Sequence, residues 1–449
     1  MTGQMEYIAA LPAAAGATVT VRGWVQHVRT QGKVAFLVVR DGSGVVQCVF
    51  VKSQVPPEVW ERFQTLTIEA SVAVTGEVRL EPRAPGGAEL GAIDLTVLGA
   101  SPIDYPIQPK EHGIDFLMDN RHLWLRAPRQ VALMRIRHEI EQSIHDFFYA
   151  RDFIHCDTPI LTAAIGERSG LFSTEYFDEG NAYLAQTGQL YGEALAAALG
   201  RIYTFGPTFR AEKSKTRRHL AEFWMIEPEM AFYDLHDSIQ LQEDLLLHIT
   251  QRVLERRRAE LAVLERDVSH LEAITGPFPR ISYTDAVATL QQKGSSITWG
   301  EDLGAEDEAL LVADYRTPIF ICNYPKEAKA FYMKENPDDP RTVLCADCLA
   351  PEGYGEIIGG SQREDDHDKL LVRIRDEGLE ESAYGWYLDL RKYGTFVHSG
   401  FGLGLERTVA WLCGTPHIRE CIAFPRLMNR LRPGFFAARE SVRVARSAE

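Results

Sequence analysis

The chain has 449 residues, 45% of them hydrophobic, 10% aromatic and 25% charged, which is enough apolar material for two or three domain cores and excludes wholesale disorder. No apolar run approaches the roughly 20 residues that a membrane span needs, so no membrane partner is expected. The formal net charge of −15, from 48 Lys and Arg against 63 Asp and Glu, counts at face value against a nucleic-acid partner, whose usual footprint is a basic surface.

Residues 1–103 read as a small β-barrel. Met1 to Pro12 carries Glu6 and an early proline and has no basic stretch, so a secretory leader is not expected. Thr18 to Val25 alternates in polarity. Val34 to Arg40 is a β-branched and aromatic run, and Val45 to Phe50 follows it across the turn Asp41-Gly42-Ser43-Gly44, the pattern of a hairpin. Ser71 to Leu80 and Ile93 to Val97 supply two further strands around a turn at Ala84 to Gly87. Short strands with glycine-rich corners suit an OB-fold. The local charge departs from that of the whole chain: in the first 50 residues Arg22, Arg29, Lys33 and Arg40 face only Glu6 and Asp41. Pro102, Pro106 and Pro109 then open a hinge, taken over residues 104–126.

Residues 127–449 read as one α+β domain. Ala127 to Phe148 has helical periodicity, and a strand is expected to end in Thr158-Pro159-Ile160-Leu161. Tyr203 to Phe209 and Phe223 to Met230 read as strands around a charged loop, followed by one long helix from Asp234 to Arg266. Further strands are expected at Pro318 to Cys322, Glu356 to Ile358 and Thr395 to His398, with helices at Asp366 to Arg375 and Leu405 to Cys413. This mixed order suits an antiparallel sheet better than repeated βαβ units. Cys48, Cys156, Cys322, Cys345, Cys348, Cys413 and Cys421 are odd in number and scattered, which points to a reducing, cytoplasmic setting.

The densest chemical signal is Arg210 to His219, where Arg210, Lys213, Lys215, Arg217 and Arg218 accompany the single carboxylate Glu212. A cationic loop between strands suits phosphates, although alone it is equally a solvated hairpin tip. Gly400 to Arg407 reads as a glycine-rich turn running into a helix, with Arg407 on the first turn against the dipole preference. Glu356 and Arg363 stand at the two ends of a short strand and glycine corner. A carboxylate beside phosphates can hold Mg²⁺, and an arginine can hold a carboxylate or an amide oxygen. Cys345-x-x-Cys348 has no second pair, so zinc is not expected, and no G-x-S-x-G element supports serine hydrolysis.

Together these pieces resemble the class II aminoacyl-tRNA synthetases. Phe209-Arg210-Ala211-Glu212, Arg218-His219 and Glu222-Phe223-Trp224 look like motif 2, Gly402 to Arg407 looks like motif 3, and the helix before Pro159 looks like motif 1, which lies at the family's dimer interface. A barrel ahead of the catalytic domain is the subclass IIb arrangement. Within it, Gly188-Gln189-Leu190-Tyr191-Gly192-Glu193 is similar to the bacterial asparaginyl pattern, whereas aspartyl relatives place a lysine where Gly192 stands. The resemblance implies an OB-fold anticodon domain, an antiparallel-sheet catalytic domain, ATP and Mg²⁺, L-asparagine and tRNA(Asn), and a homodimer. It implies that Arg210 bridges the α-phosphate and the amino-acid carboxylate. Glu212 would meet the adenine amino group and Phe223 would stack on the ring, Arg218, His219 and Arg407 would hold the outer phosphates with Arg407 also lying over adenine, Leu220 and Gly404 would belong to the same ATP site, and Glu356 would hold the metal, helped by Asp347. Gln189, Glu193 and Arg363 would hold asparagine, with Arg363 donating to the amide oxygen and Glu193 accepting from its NH₂. In the barrel, Arg29, Phe36 and Gln47 match anticodon-binding positions. The family's glutamate for the α-amino group falls on Gly166, so either Glu167 substitutes through a shifted loop or amino-acid binding is altered. Rival readings are an aspartyl enzyme, discriminating or not, and a paralogue that has lost tRNA charging.

Overall fold

The computed structural model describes residues 4–163, 170–214 and 216–433. The chain divides into two compact units, Met1–Asn120 and Arg121–Glu449. The division falls within the proline-led segment, which carries short helices at Ile114–Asp119 and Arg121–Trp124.

The first unit is a closed barrel of β1 (Thr18–Gln31), β2 (Val34–Arg40), β3 (Val45–Val51), β4 (Ser71–Leu80) and β5 (Ala88–Gly99). The order is β1-β2-β3-β5-β4, and β4 pairs back onto β1 to close the wall. Alternation builds its core: Val19, Val21 and Val25, then Ala35, Leu37 and Val39, then Val46, Cys48 and Phe50 all point inward. The last strand starts at Ala88, five residues before the expected Ile93, because Ala88 and Leu90 continue the inward series. A helix the sequence reading did not expect, α1 (Pro57–Gln64), adds Val59, Trp60 and Phe63 to this core.

The second unit is built on an eight-stranded sheet. Its strands are β6 (Ile154–His155), β7 (Arg201–Phe209), β8 (Glu222–Ala231), β9 (Arg280–Ser282), β10 (Ile319–Cys322), β11 (Cys345–Ala350), β12 (Gly355–Gln362) and β13 (His398–Gly404). They run in the order β9-β10-β11-β12-β13-β8-β7-β6, antiparallel except for the outermost pairs. The helices α2 (Pro128–Tyr149) and α4 (Leu235–Arg256) share a core with one face of the sheet, through Leu133, Ile136, Ile140 and Ile144 and through Leu245, Leu246, Ile249 and Val253. The helices α3 (Gln189–Leu199), α5 (Ala305–Val312), α6 (Gly385–Lys392) and α7 (Leu405–Cys413) complete the frame of the site.

Further expectations change. The helix expected from Asp234 to Arg266 breaks at Arg257, whose backbone leaves the helical region (φ −128°, ψ 23°), and resumes at Arg258–Val263. The strand expected to end in Thr158 to Leu161 stops earlier, as β6, and Leu161–Thr162 belongs to a separate three-stranded sheet. The strand expected at Thr395 to His398 begins only at His398, and the glycine-rich turn expected at 400–404 is that strand, β13. Its glycines serve close approach: a Cβ at Gly400 would lie 2.1 Å from Glu229 Oε1, and one at Gly402 would lie 2.3 Å from Met225 Cε.

Candidate active site

Two joined cavities open on the sheet face opposite α2 and α4. The hairpin β7–β8 pairs from Arg201 with Met230 to Phe209 with Glu222, which projects the cationic loop from its end. On β8, Ile226 turns into the helix-covered core while Met225 and Glu227 line a cavity, as strand alternation requires.

The smaller cavity, about 90 Å³, is lined by Arg210, Glu212, Arg218, His219, Leu220, Phe223, Glu356, Gly404 and Arg407, together with Glu406. The structure thus gathers every residue expected around ATP. The guanidinium of Arg210 lies 5.5 Å from the centre of the Phe223 ring. Arg218 pairs with Glu308 at 2.6 Å and Arg407 with Glu356 at 2.8 Å, so two of the cations suited to phosphate are already held by carboxylates. Burial and then the charge of Arg407 lower the imidazole pKa of His219, which favours its neutral form.

The larger cavity, about 470 Å³, shares Arg210, Met225, Glu356 and Gly402 with the first and adds Gln189, Glu227, Lys329, Tyr332 and Asp347. Burial would raise the Glu356 carboxyl, but Arg407, with Lys329 and Arg218, overcomes this and holds it at about 2. Burial pushes Asp347 up to about 6 against the pull of Lys329, whose Nζ lies 2.7 Å from Oδ2. The other oxygens converge: a Cβ at Gly359 would lie 3.0 Å from Glu356 Oε1 and 3.4 Å from Asp347 Oδ1. Two hard oxygen donors around one glycine-made space fit a small divalent cation.

Two expected asparagine contacts are placed differently. Glu193, 1% exposed, lies beneath the cavity rather than in its lining. It accepts from Gln189 Nε2 at 3.2 Å, Tyr387 OH at 2.6 Å, Arg391 Nη2 at 2.5 Å and His398 Nε2 at 2.9 Å. These donors fill the lone-pair positions of a carboxylate, so Glu193 orients Gln189 instead of touching a ligand. Arg363 is buried behind the lining, bonded to Glu229 at 2.5 Å and to Ser361 Oγ at 2.6 Å, with its guanidinium 5.4 Å from the Tyr332 ring centre.

Among the described residues, Glu227 is one of five acidic lining residues that sequence reasoning missed, the others being Asp302, Glu308, Glu327 and Glu377. It accepts from the Thr187 hydroxyl and from the Gly188 N–H at 2.7 Å, and burial raises its carboxyl pKa against those bonds. Glu227 and Glu229 at alternate positions of an otherwise apolar strand were the available signal. Lys329 and Glu308 carried no comparable pattern. Glu167 lies outside the described residues.

On the barrel, Arg29, Phe36 and Gln47 stand on one outer face. Arg29 pairs across the strands with Phe36, its guanidinium 4.7 Å from the ring centre, and Gln47 pairs with Val38, two residues along.

Residues 113–428 match the family model for class II tRNA synthetases (D, K and N), and residues 19–98 match that for an OB-fold nucleic-acid-binding domain. The chain therefore belongs to the class II tRNA synthetases. It is 55% identical over 436 residues to the asparagine–tRNA ligase of Sorangium cellulosum, covering 94% of this chain and 98% of that protein. The crystal structure of asparaginyl-tRNA synthetase from Pyrococcus horikoshii complexed with asparaginyl-adenylate superposes with a TM-score of 0.92 at 45% identity, covering 96% of this chain and all of that one. Aspartyl-tRNA synthetase from Entamoeba histolytica gives 0.83 at 27% identity, over 96% of this chain and 93% of that one. Within the class, the chain groups with the asparagine–tRNA ligases.

Proposed function

We propose that this chain joins L-asparagine to tRNA(Asn) in two steps. In the first, a carboxylate oxygen of asparagine attacks the α-phosphorus of ATP, the bond to the β-phosphate oxygen breaks, and asparaginyl-adenylate and pyrophosphate form. In the second, a hydroxyl of the tRNA's terminal adenosine attacks the acyl carbon and AMP leaves. The observation that carries this reading is the junction of the two cavities at Arg210, which lines both.

From that junction Arg210 reaches the attacking carboxylate and the α-phosphate together, and its charge offsets the charge that builds on phosphorus. Phe223 and Arg407 bracket the adenine, Glu212 accepts from its amino group, and Arg218, His219 and Arg407 hold the outer phosphates. Glu356 and Asp347 would hold Mg²⁺, which when bound draws charge off the phosphate oxygens. In the larger cavity Gln189, fixed through Glu193, and Glu227 offer acceptors to N–H groups, while Arg363 stands behind this lining with its guanidinium held by Glu229 and Ser361. A carboxylate in place of the amide NH₂ would face Glu227 as like charge, which favours asparagine over aspartate.

The barrel face of Arg29, Phe36 and Gln47 takes the anticodon by stacking and hydrogen bonding. Exposed Ile154 (45%) and Ile160 (47%), beside the edge strand β6, support a homodimer there. Among the described residues no helix is long and apolar enough to cross a membrane. All seven cysteines are free thiols, which agrees with a cytoplasmic setting. The test is asparagine-dependent ATP–pyrophosphate exchange. Arg210→Ala should reduce its rate by about a hundredfold or more. Near-normal exchange in that variant contradicts the role.

A further inference from the structure

We infer that Glu406 is the positioning residue that sets the two walls of the nucleotide slot, an inference that rests on the reading of the smaller cavity as the ATP site. Strand β8 pairs with β13 only as far as Met225 with Gly404. One residue further along β8, at Trp224, β13 has already given way to α7. The Trp224 N–H therefore sits where the ladder runs out, and Glu406 Oε2 takes it at 3.0 Å.

The other oxygen, Oε1, accepts from Arg137 Nη1 on α2 at 2.7 Å. Arg137 also donates to the Cys421 carbonyl at 2.9 Å and pairs with Glu141 at 2.8 Å. Glu406 is 2% exposed, so neither bond is shared with much solvent. Trp224 follows Phe223 directly, and Glu406 precedes Arg407 directly; Phe223, Glu406 and Arg407 all line the cavity. One buried carboxylate thus ties the strand carrying the stacking ring to the helix turn carrying the arginine. Because both of its oxygens face donors, a neutral amide cannot replace it: the NH₂ of glutamine would oppose either the Trp224 N–H or Arg137.

The experiment measures the KM for ATP and for asparagine in exchange assays of the full chain. The unmodified chain comes first, because absence of asparagine-dependent exchange there would overturn the proposed function itself. Given that exchange, Glu406→Gln should raise KM for ATP about tenfold while KM for asparagine stays within about twofold. Arg137→Met, which leaves the Trp224 bond in place, should lower the unfolding temperature with KM for ATP within about twofold. If Glu406→Gln does not fold, Glu406→Asp keeps the charge beside Arg137 but shortens the reach to Trp224, and should give the same selective rise. An unchanged KM for ATP in the folded Glu406 variant overturns the inference. So does an equal rise in both KM values, which marks a merely structural residue.

Discussion

At Phe36 the direction of the side chain follows from its neighbours. Ala35 and Leu37 are wholly buried in the barrel, so the ring between them stands on the outer face under the Arg29 guanidinium. A base stacked on that ring is worth about 1–3 kcal/mol, so Phe36→Ala should lower kcat/KM for tRNA about tenfold and leave ATP–pyrophosphate exchange unchanged. A fall in exchange of the same size would count against an anticodon role. The sequence could not settle this face, because Val34-Ala35-Phe36-Leu37 is apolar on both sides of the strand. The residues of the smaller cavity were legible for the opposite reason: most are polar, aromatic or glycine at a fixed place in a short motif, and the hairpin, the strand at Glu356 and the strand-to-helix turn at Gly404 bring these motifs together. Glu193 misled because its spacing in α3 shows only that it faces inward. That Arg391, His398 and Tyr387 arrive from distant segments to occupy it is a tertiary fact.

Two strands show what pattern reading loses at the level of elements. All six residues of β11, Cys345 to Ala350, are buried, so alternation is absent, and the charge of Asp347 is met by Lys329 from another segment. Strand β13 is rich in glycine because the side chains of β8 occupy the space a Cβ would need, and the same composition reads locally as a turn. The short helix turn Ile418–Glu420 makes an electrostatic prediction. His417 caps it by accepting the Arg419 N–H at Nδ1, 3.2 Å away, a role only the unprotonated nitrogen can fill. Burial, then Arg419 and Arg217, lower its imidazole from 6.5 to about 4. A folded value below the unfolded one means the contribution is present above pH 6.5 and is lost as pH falls towards 4. The unfolding temperature should drop across that window, and His417→Asn, which can cap without titrating there, should drop less. An identical acid limb in the variant would remove His417 from the account.

For the molecule as a whole, a net charge of −15 coexists with a nucleic-acid-binding barrel because the cations are concentrated. Of the barrel's early cations, Arg40 is tied to Glu69 at 2.5 Å, while Arg22, Arg29 and Lys33 are exposed. An acidic body with a local basic face disfavours indiscriminate polyanion binding and still admits one partner. The chain divides into a barrel unit and a larger sheet unit, and the proposed function assigns the reading of tRNA to the first and the activation of the amino acid to the second. The central claim is that the larger unit activates asparagine, and the direct measurement is ATP–pyrophosphate exchange with asparagine and with aspartate in parallel. A lining that offers Glu227 to an amide NH₂ predicts kcat/KM for asparagine above that for aspartate by about a hundredfold or more. Exchange with aspartate alone, or equal exchange with both, would contradict the account.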